Sequence, residues 1–378
     1  MTVTDRYVIR EMNEKLVLNT IIQKEPISRA DISKQTNLNK ATVSSIVNDL
    51  LTKNLTLELG TGKSSGGRKP ILVTFNHRAG ISLSIDLGPD YLSLLFTYLN
   101  GEILSERCIP FTEAGKDNVS QLIKKTVEVL LPKLPETPYG IVGICIAIHG
   151  IVHENKLIFS PFYNFESDQI KQDLEDYYKV PVHFENEANL SALGEQRHTS
   201  PSPNLISLNI KYGIGAGIIL NGSLFTGVHG RAGEVGHLIA IPGGKPCPCG
   251  NHGCLEQYAS EFQLLKNYTE SQDGQHQSFN HFKRDYLAGN PVALNAMEQF
   301  TQFIAIGINN LCSSFNPEVI IINCRITNQI EGVIEKIREK LSSQLTRGII
   351  LKSSSLQEKS TLLGGAYVNT REFLGFPH

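Results

Sequence analysis

The segment Cys247-Pro248-Cys249-Gly250-Asn251-His252-Gly253-Cys254 constrains this chain most, because it packs three of the seven cysteines into eight residues. Its glycines let the backbone turn tightly around something small. His237, ten positions before Cys247, offers a fourth ligand. Three thiolates and an imidazole are a standard structural zinc set, with no position left open for a catalytic water. Zinc needs neither of the acids at the edges of this segment, Glu234 and Glu256, so they are expected to face something else.

A chain of 378 residues, 40% hydrophobic and 19% charged, has the bulk for two or three globular domains. No apolar run approaches the roughly 18 residues of a membrane span. The start, Met1-Thr-Val-Thr-Asp-Arg6, has no apolar signal core, so a cytoplasmic location is expected. Cys108, Cys145, Cys312 and Cys324 stand apart in apolar surroundings and read as free buried thiols of a reducing compartment. Charge divides unevenly along the chain. Residues 1–78 hold 12 Lys and Arg against 7 Asp and Glu, and the remainder holds 23 against 30. A basic end on an acidic body suggests that the first segment meets a polyanion.

Three helices are expected before residue 55. The first runs from Asp5 to Gln23, with Ile9, Met12, Leu16 and Ile21 or Ile22 at helical spacing. The second, Ser28 to Gln35, has an N-cap at Ser28 and turns Ala30 and Ile32 inward. After a turn at Thr36-Asn37-Leu38, Asn39 caps the third, Lys40 to Lys53, with Val43, Ile46, Val47 and Leu50 as its buried stripe. This is the helix-turn-helix plan. Lys40, Thr42, Ser44, Ser45 and Asn48 on the third helix suit base edges and phosphates in a major groove. Two strands, Leu55–Leu59 and Ile71–Phe75, bracket a Gly- and Ser-rich loop and make a wing. Its Lys63, Arg68 and Lys69 would reach phosphate or the minor groove. The alternatives are a three-helix packing module with a solvated face, and a flexible linker.

From Gly80 the pattern changes. The strand Ile81–Leu87 carries Asp86-Leu-Gly88, and a hairpin turns at Asn100-Gly101. A helix, Asn118 to Leu131, leads to the apolar strand Ile141–Ile148, which ends at His149-Gly150. A similar plan restarts at Leu205–Ile210, with Gly213-Ile-Gly215-Ala-Gly217 and a turn at Asn221-Gly222. The repetition predicts two related α/β lobes, 79–200 and 201–378, with a cleft between them. A helix from Met297 to Ser314 reads equally as core or as interface.

Four stretches in this body carry a resemblance: Asp86-Leu-Gly88, Glu185-Asn-Glu-Ala-Asn-Leu-Ser-Ala-Leu-Gly-Glu195, Gly233-Glu-Val-Gly-His237 and Cys247-x-Cys-Gly-x-x-Gly-Cys-x-Glu256. They are similar to the ROK family (repressors, open reading frames and kinases). The resemblance implies an α/β fold, a winged helix-turn-helix followed by a two-lobed sugar kinase/actin-like body with a structural zinc loop. It implies that His237, Cys247, Cys249 and Cys254 bind Zn²⁺, and that Asn186, Glu187, Glu234, His237 and Glu256 line a sugar site. The carboxylates and amide suit vicinal hydroxyls, each of which donates and accepts. Within the family, the N-terminal segment, Ser65-Gly-Gly-Arg-Lys-Pro70 and Glu185-Asn-Glu-Ala-Asn189 are similar to xylose repressors of Gram-positive bacteria.

The family's kinases differ from this chain at three places. Glu187 stands where they carry a catalytic Asp, and the extra methylene displaces the carboxylate by about an ångström, enough to cost on the order of 100-fold. The first phosphate turn reads Asp86-Leu-Gly-Pro89-Asp90, with an N–H lost at Pro89 and a negative charge added at Asp90. The second begins Ile210-Lys211-Tyr212-Gly213, where kinases have a small pair. The expectation is therefore a non-enzymatic repressor, a homodimer or higher homo-oligomer on a palindromic operator, released by an unphosphorylated aldose, which the resemblance implies is D-xylose. The alternative is a sugar kinase with an appended DNA reader.

Overall fold

The computed structural model describes residues 3–61, 70–111, 118–163, 165–271 and 278–376. The N-terminal elements are α1 (Val3–Lys24), β1 (Ile27–Ser28), α2 (Arg29–Thr36), α3 (Lys40–Thr52), β2 (Thr56–Thr61) and β3 (Ile71–Phe75). Both expected caps form: the Ser28 hydroxyl accepts from the Asp31 N–H at 3.1 Å, and Asn39 Oδ1 accepts from the Thr42 N–H at 2.8 Å. Between the helices Asn37 takes the left-handed conformation, with φ 56°. The strands form an antiparallel sheet in the order β1-β3-β2. Val43, Ile46, Val47 and Leu50 share a core with Val17, Leu18, Ile21 and Ile32.

Two details of the sequence reading are corrected here. Ile9, Met12 and Leu16 are 41%, 65% and 43% exposed, and α1 enters the core through Val17, Leu18 and Ile21 on its opposite side. The helical period found a genuine apolar stripe, but an outward one. Ala30 is exposed as well, and α2 buries Ile32 and Thr36 instead.

The first lobe contains β4 (Ile81–Leu87), β5 (Tyr91–Tyr98), β6 (Ile103–Pro110), α4 (Val119–Leu130) and β7 (Ile141–Ile148). It continues with β8 (Ile151–His153), β9 (Lys156–Phe159), α5 (Ser167–Tyr178), β10 (Val182–Asn186) and α6 (Glu187–His198). The second contains β11 (Leu205–Ile210), β12 (Ile214–Leu220), β13 (Ser223–Leu224), α7 (Glu256–Ala259), α8 (Glu261–Glu270) and α9 (Phe279–Leu287). It closes with α10 (Pro291–Phe315), β14 (Val319–Asn323), α11 (Arg325–Gln329), α12 (Val333–Glu339), β15 (Ile350–Ser353) and α13 (Lys359–Phe373). The sheets run β10-β7-β4-β5-β6 and β15-β14-β11-β12-β13. In each, the first strand pairs antiparallel with the next along a hairpin and parallel with a later strand on its other side. The repeat visible in sequence is thus a repeat of topology.

Helices α6 and α13 fill the space between the sheets, where Leu190, Leu193 and Val368 meet Cys145 and Ala147 of one and Leu205, Ile219 and Ile321 of the other. Their close approach needs glycine. A Cβ on Gly194 would lie 2.1 Å from the Ser360 carbonyl oxygen, and one on Gly364 would lie 1.8 Å from that of Leu190. Residues 201–378 are therefore not a self-contained lobe: α13 returns to the first sheet, where Asn369 Nδ2 donates to Ser82 Oγ at 2.8 Å. Just beyond α13, Leu374 joins Leu99 and Val142 in the core of the N-terminal unit. The Tyr139 hydroxyl also donates to the Lys53 carbonyl at 2.8 Å. Helix α10 is core, with Phe300, Ile304, Ile308 and Leu311 all buried. Cys145, Cys312 and Cys324 are buried, whereas Cys108 is exposed, contrary to its apolar neighbourhood in sequence. Among the described residues no helix is long and apolar enough to cross a membrane.

Candidate functional site

The cysteine segment folds back on itself. The Cys247 N–H donates to the Asn251 carbonyl at 2.9 Å, and an isolated bridge pairs Ile239 with Cys254. Gly253, at φ 85°, lies so close to Ile241 that a Cβ would fall 1.6 Å from its carbonyl oxygen. This folding brings one donor atom from each of His237, Cys247, Cys249 and Cys254 within 4.8 Å of one another. Cys249 and Cys254 sulfurs lie 3.7 Å apart, and Cys247 Sγ lies 3.5 Å from His237 Nδ1. A tetrahedral zinc with ordinary bond lengths requires about 3.8 Å between sulfurs and about 3.6 Å between sulfur and nitrogen. The residues present fit that ion.

The same loop delivers acids to the cleft. Glu256 begins α7, and its Oε1 is 3.7 Å from His237 Nδ1. Glu234 Oε2 is 3.7 Å from the other ring nitrogen, Nε2. Gly233 fixes this arrangement, since at φ 91° its backbone runs against β12 and a Cβ would fall 1.9 Å from the Ala216 carbonyl oxygen. Burial raises the Glu234 carboxyl above its ordinary range, and the nearby Glu187 and Glu256 carboxylates add to the rise against the pull of His237. Glu187 is the first residue of α6, and its buried Oε2 has no hydrogen-bond partner in the protein. Burial lifts its pKa too, opposed by His149 and Lys211.

Asn186 sits beside these acids but is engaged with backbone. Its Oδ1 accepts from the Ala188 and Asn189 N–H groups at 2.8 and 3.1 Å, and its Nδ2 donates to the Gly150 carbonyl at 2.9 Å. It caps α6 and so holds Glu187 in place.

Across the cleft the two expected phosphate turns form a cluster whose pairing the sequence reading did not foresee. Asp86, 3% exposed at the end of β4, lies 2.8 Å from His149 Nε2 and accepts from the Tyr91 hydroxyl at 2.8 Å. Burial alone would raise Asp86, but His149, Lys211 and Tyr91 hold it below its usual value. Burial alone would lower His149, but Asp86 and Glu187 carry it above 6.5. Both directions favour the ion-paired form of Asp86 and His149. Lys211 Nζ reaches the Tyr91 hydroxyl at 3.4 Å, and the Tyr212 hydroxyl donates to Asp90 Oδ2 at 2.9 Å. Lys211 and Tyr212 belong to the β11–β12 turn of one lobe, Asp90 and Tyr91 to the β4–β5 connection of the other. A cavity of about 660 Å³ opens beside this clasp, with Arg325, Glu261 and Glu358 also on its wall. The sequence marks Asp86, Asp90, Lys211 and Tyr212 as altered phosphate turns and His149 as the end of an apolar strand, but not that they meet.

On α3, Lys40, Ser45 and Asn48 are exposed, and Thr42 and Ser44 are half-buried at its edges. Lys63, Arg68 and Lys69 lie outside the described residues.

The sequence pattern of the ROK family matches residues 82–372. The chain belongs to the ROK family. It is 35% identical over 382 residues to the xylose repressor of Bacillus subtilis, covering 99% of both chains. With the xylose repressor of Staphylococcus xylosus it shares 36% identity over 368 residues, 96% of this chain and 94% of that one. Among solved ROK structures, a transcriptional regulator homologous to the E. coli MLC protein superposes with a TM-score of 0.83 at 27% identity, covering 97% of each chain. A ROK glucokinase from Streptomyces griseus, in complex with glucose and AMPPNP, superposes at 0.67 and 25% identity, covering 76% of this chain and 99% of that one. Both branches of the family, regulator and kinase, therefore share the body. The regulator's superposition also extends over the N-terminal unit.

Proposed function

We propose that this ROK protein is a transcriptional repressor that reads a palindromic operator as a homodimer and releases it on binding an unphosphorylated aldose, D-xylose. The observation that carries this reading is the asymmetry of the cleft. Glu187, Glu234 and Glu256 surround His237 with acceptor capacity suited to sugar hydroxyls. The opposite turns, where a kinase of this fold would hold nucleotide phosphates, are joined by side chains of the protein itself. The names and full-length similarity of the repressors support it.

In this reading Glu187, Glu234, His237 and Glu256 contact the sugar, and Asn186 positions Glu187. His237, Cys247, Cys249 and Cys254 hold zinc, which when bound cross-links the loop. His237 then turns Nδ1 to the cysteines and Nε2 to the Glu234 side, so the loop that makes the metal site also orients the sugar contacts. Helix α13 offers a route to the DNA reader. The Thr361 hydroxyl donates to the Glu187 carbonyl at 3.2 Å, and Leu374 just past its other end lies in the reader's core. Sugar that favours one lobe arrangement shifts the population of reader spacings, with a coupling of roughly 1–3 kcal/mol. Lys40, Thr42, Ser44, Ser45 and Asn48 read the major groove, while Lys63, Arg68 and Lys69 of the wing hold phosphate or the minor groove.

The test is titration of the full chain against the DNA upstream of its own gene at two salt concentrations, with xylose, glucose or N-acetylglucosamine added. A salt-sensitive complex dissolved by xylose is expected. Sugar-dependent ATP turnover, or a complex indifferent to every sugar, would reject the reading.

A further inference from the structure

Helix α1 has two apolar sides, and the body covers only one. Val17, Leu18 and Ile21 are buried, while Val8, Ile9, Met12 and Leu16 are 51%, 41%, 65% and 43% exposed. At about 100° per residue these four fall within one arc of about 100°. The same arc continues toward the C-terminus through Asn19, Thr20 and Gln23, so from residue 8 to residue 23 it carries no charge. Of the charged residues of that stretch, Arg10 and Glu14 lie toward the buried side and Glu11 and Lys15 line one flank of the arc, each paired within the chain. Arg10 meets Asp49 at 2.6 Å, Lys15 meets Glu11 at 2.8 Å, and Glu14 meets Lys53 at 2.5 Å. A charge-free apolar stripe with an exposed pair of opposite charges along one flank is the pattern of an interface centre and its rim.

We infer that this stripe is where a second copy of the chain docks, α1 against α1 in antiparallel orientation. The inference rests on the homodimer reading above and names its contact. The stripe and its rim share one centre, between residues 12 and 13. An antiparallel pair about that centre sets Leu16 against Ile9 of the second copy and packs the two Met12 side chains together. On the flank it sets Glu11 against Lys15 of the second copy and Lys15 against Glu11, so the rim is self-complementary, as a two-fold interface requires. In a two-fold parallel pair this flank would lie on opposite sides of the contact in the two copies, and Glu11 and Lys15 would face the uncharged flank of Asn13 and Thr20 instead. The arrangement ties the two DNA readers directly to each other, because the inner side of α1 shares a core with α3.

Disulfide trapping in the full-length protein tests this. Met12→Cys places the two sulfurs near the two-fold, whereas Gln23→Cys places them about 30 Å apart along the axis at 1.5 Å per residue. Under mild oxidation Met12→Cys is expected to form covalent dimer at least about tenfold faster than Gln23→Cys, with the unsubstituted chain as the background for native thiols. Equal rates at the two positions overturn the antiparallel pairing. As a second measurement, Met12→Glu combined with Leu16→Glu should raise the dimer dissociation constant in sedimentation by at least about tenfold, with the circular dichroism of the folded chain retained, because four carboxylates would meet unpaired. An unchanged dissociation constant overturns the inference. Neither measurement involves DNA or sugar, so trapping that succeeds while operator binding fails would reject the repressor reading and leave this contact standing.

Discussion

The two sides of the interlobe cleft have opposite chemistry: one joins the corresponding β4–β5 and β11–β12 turns of the repeated fold, and the other is formed by the 233–256 loop and the start of α6. On the zinc-loop side, acids are gathered around His237 and one buried carboxylate oxygen, Glu187 Oε2, has no partner. On the other side, Asp86, His149, Tyr91, Lys211, Tyr212 and Asp90 answer one another. A buried polar group without a partner is unfavourable unless a ligand supplies one. A network already satisfied has little to offer a ligand. The contrast teaches where to look for a ligand in a duplicated fold: where the protein leaves its own buried polar groups unsatisfied, rather than where they already answer one another.

The largest effect that would break this contrast comes from the metal ligands. Cys254 is fully buried, and Cys254→Ser should abolish stoichiometric zinc, read by elemental analysis, and weaken sugar binding about 100-fold by calorimetry, because the loop carrying Glu234, His237 and Glu256 loses its cross-link. Sugar affinity equal to that of the unsubstituted chain would mean that the loop holds its shape unaided.

Next in size is Glu187→Gln. It should weaken sugar binding by about 30-fold, the loss of a charge-assisted hydrogen bond. The sugar-free protein should nevertheless melt higher, by the equivalent of about 1 kcal/mol, since a buried unpartnered charge is removed. A variant that loses sugar affinity and stability together would show that Glu187 is a structural acid.

The pH dependence of stability sharpens the same point. His149 has its folded pKa raised above 6.5, so its stabilising pairing with Asp86 is fully present below that value and fades as pH rises through the folded pKa. Glu187, also raised, contributes in the same direction, its share fading as pH climbs past its folded value above 4.5. The sugar-free chain should therefore melt at a lower temperature at mildly alkaline than at mildly acidic pH. Glu187→Gln should lose the lower part of that slope and shrink the higher part, because Glu187 also helps to raise His149, with Asp86 left to sustain the remainder. A slope of the opposite sign in calorimetric melting would contradict the ionic Asp86–His149 pair.

Legibility in the sequence followed locality. The candidate metal cluster was readable because three of its four residues lie within eight positions and their spacing is itself the motif. The caps at Ser28 and Asn39 were readable for the same reason. The partners of the clasp are separated by up to 122 residues, and only the parallel pairing of β4 with β7 brings Asp86 to the His149 end of its neighbour. No periodicity carries that. Helix α1 misled because it is apolar on both sides, and spacing alone does not say which side is inward. The return of α13 was hidden for another reason: Gly194 and Gly364 admit a close helix pair without any hydrophobic pattern to announce it. Asn186 was placed at the site through resemblance, while its engagement with the α6 backbone became visible only with the fold.

The smallest expected effect is also the most discriminating between the two halves of the cleft. Tyr212→Phe removes one hydrogen bond, that to Asp90, from a ring that is 42% exposed, so its net worth is about 0.5–1 kcal/mol. Because the bond joins the lobes, its loss should move the lobe equilibrium and alter apparent sugar affinity by about threefold, with little change in melting temperature. Nucleotide binding, measured with AMPPNP, should not appear. Pro89 still lacks an N–H, and an Asp90 released from Tyr212 repels phosphate more strongly than one that accepts its hydrogen bond. If AMPPNP did bind to Tyr212→Phe, the tyrosine would be a gate over an intact phosphate site, and the satisfied half of the cleft would be closed rather than lost.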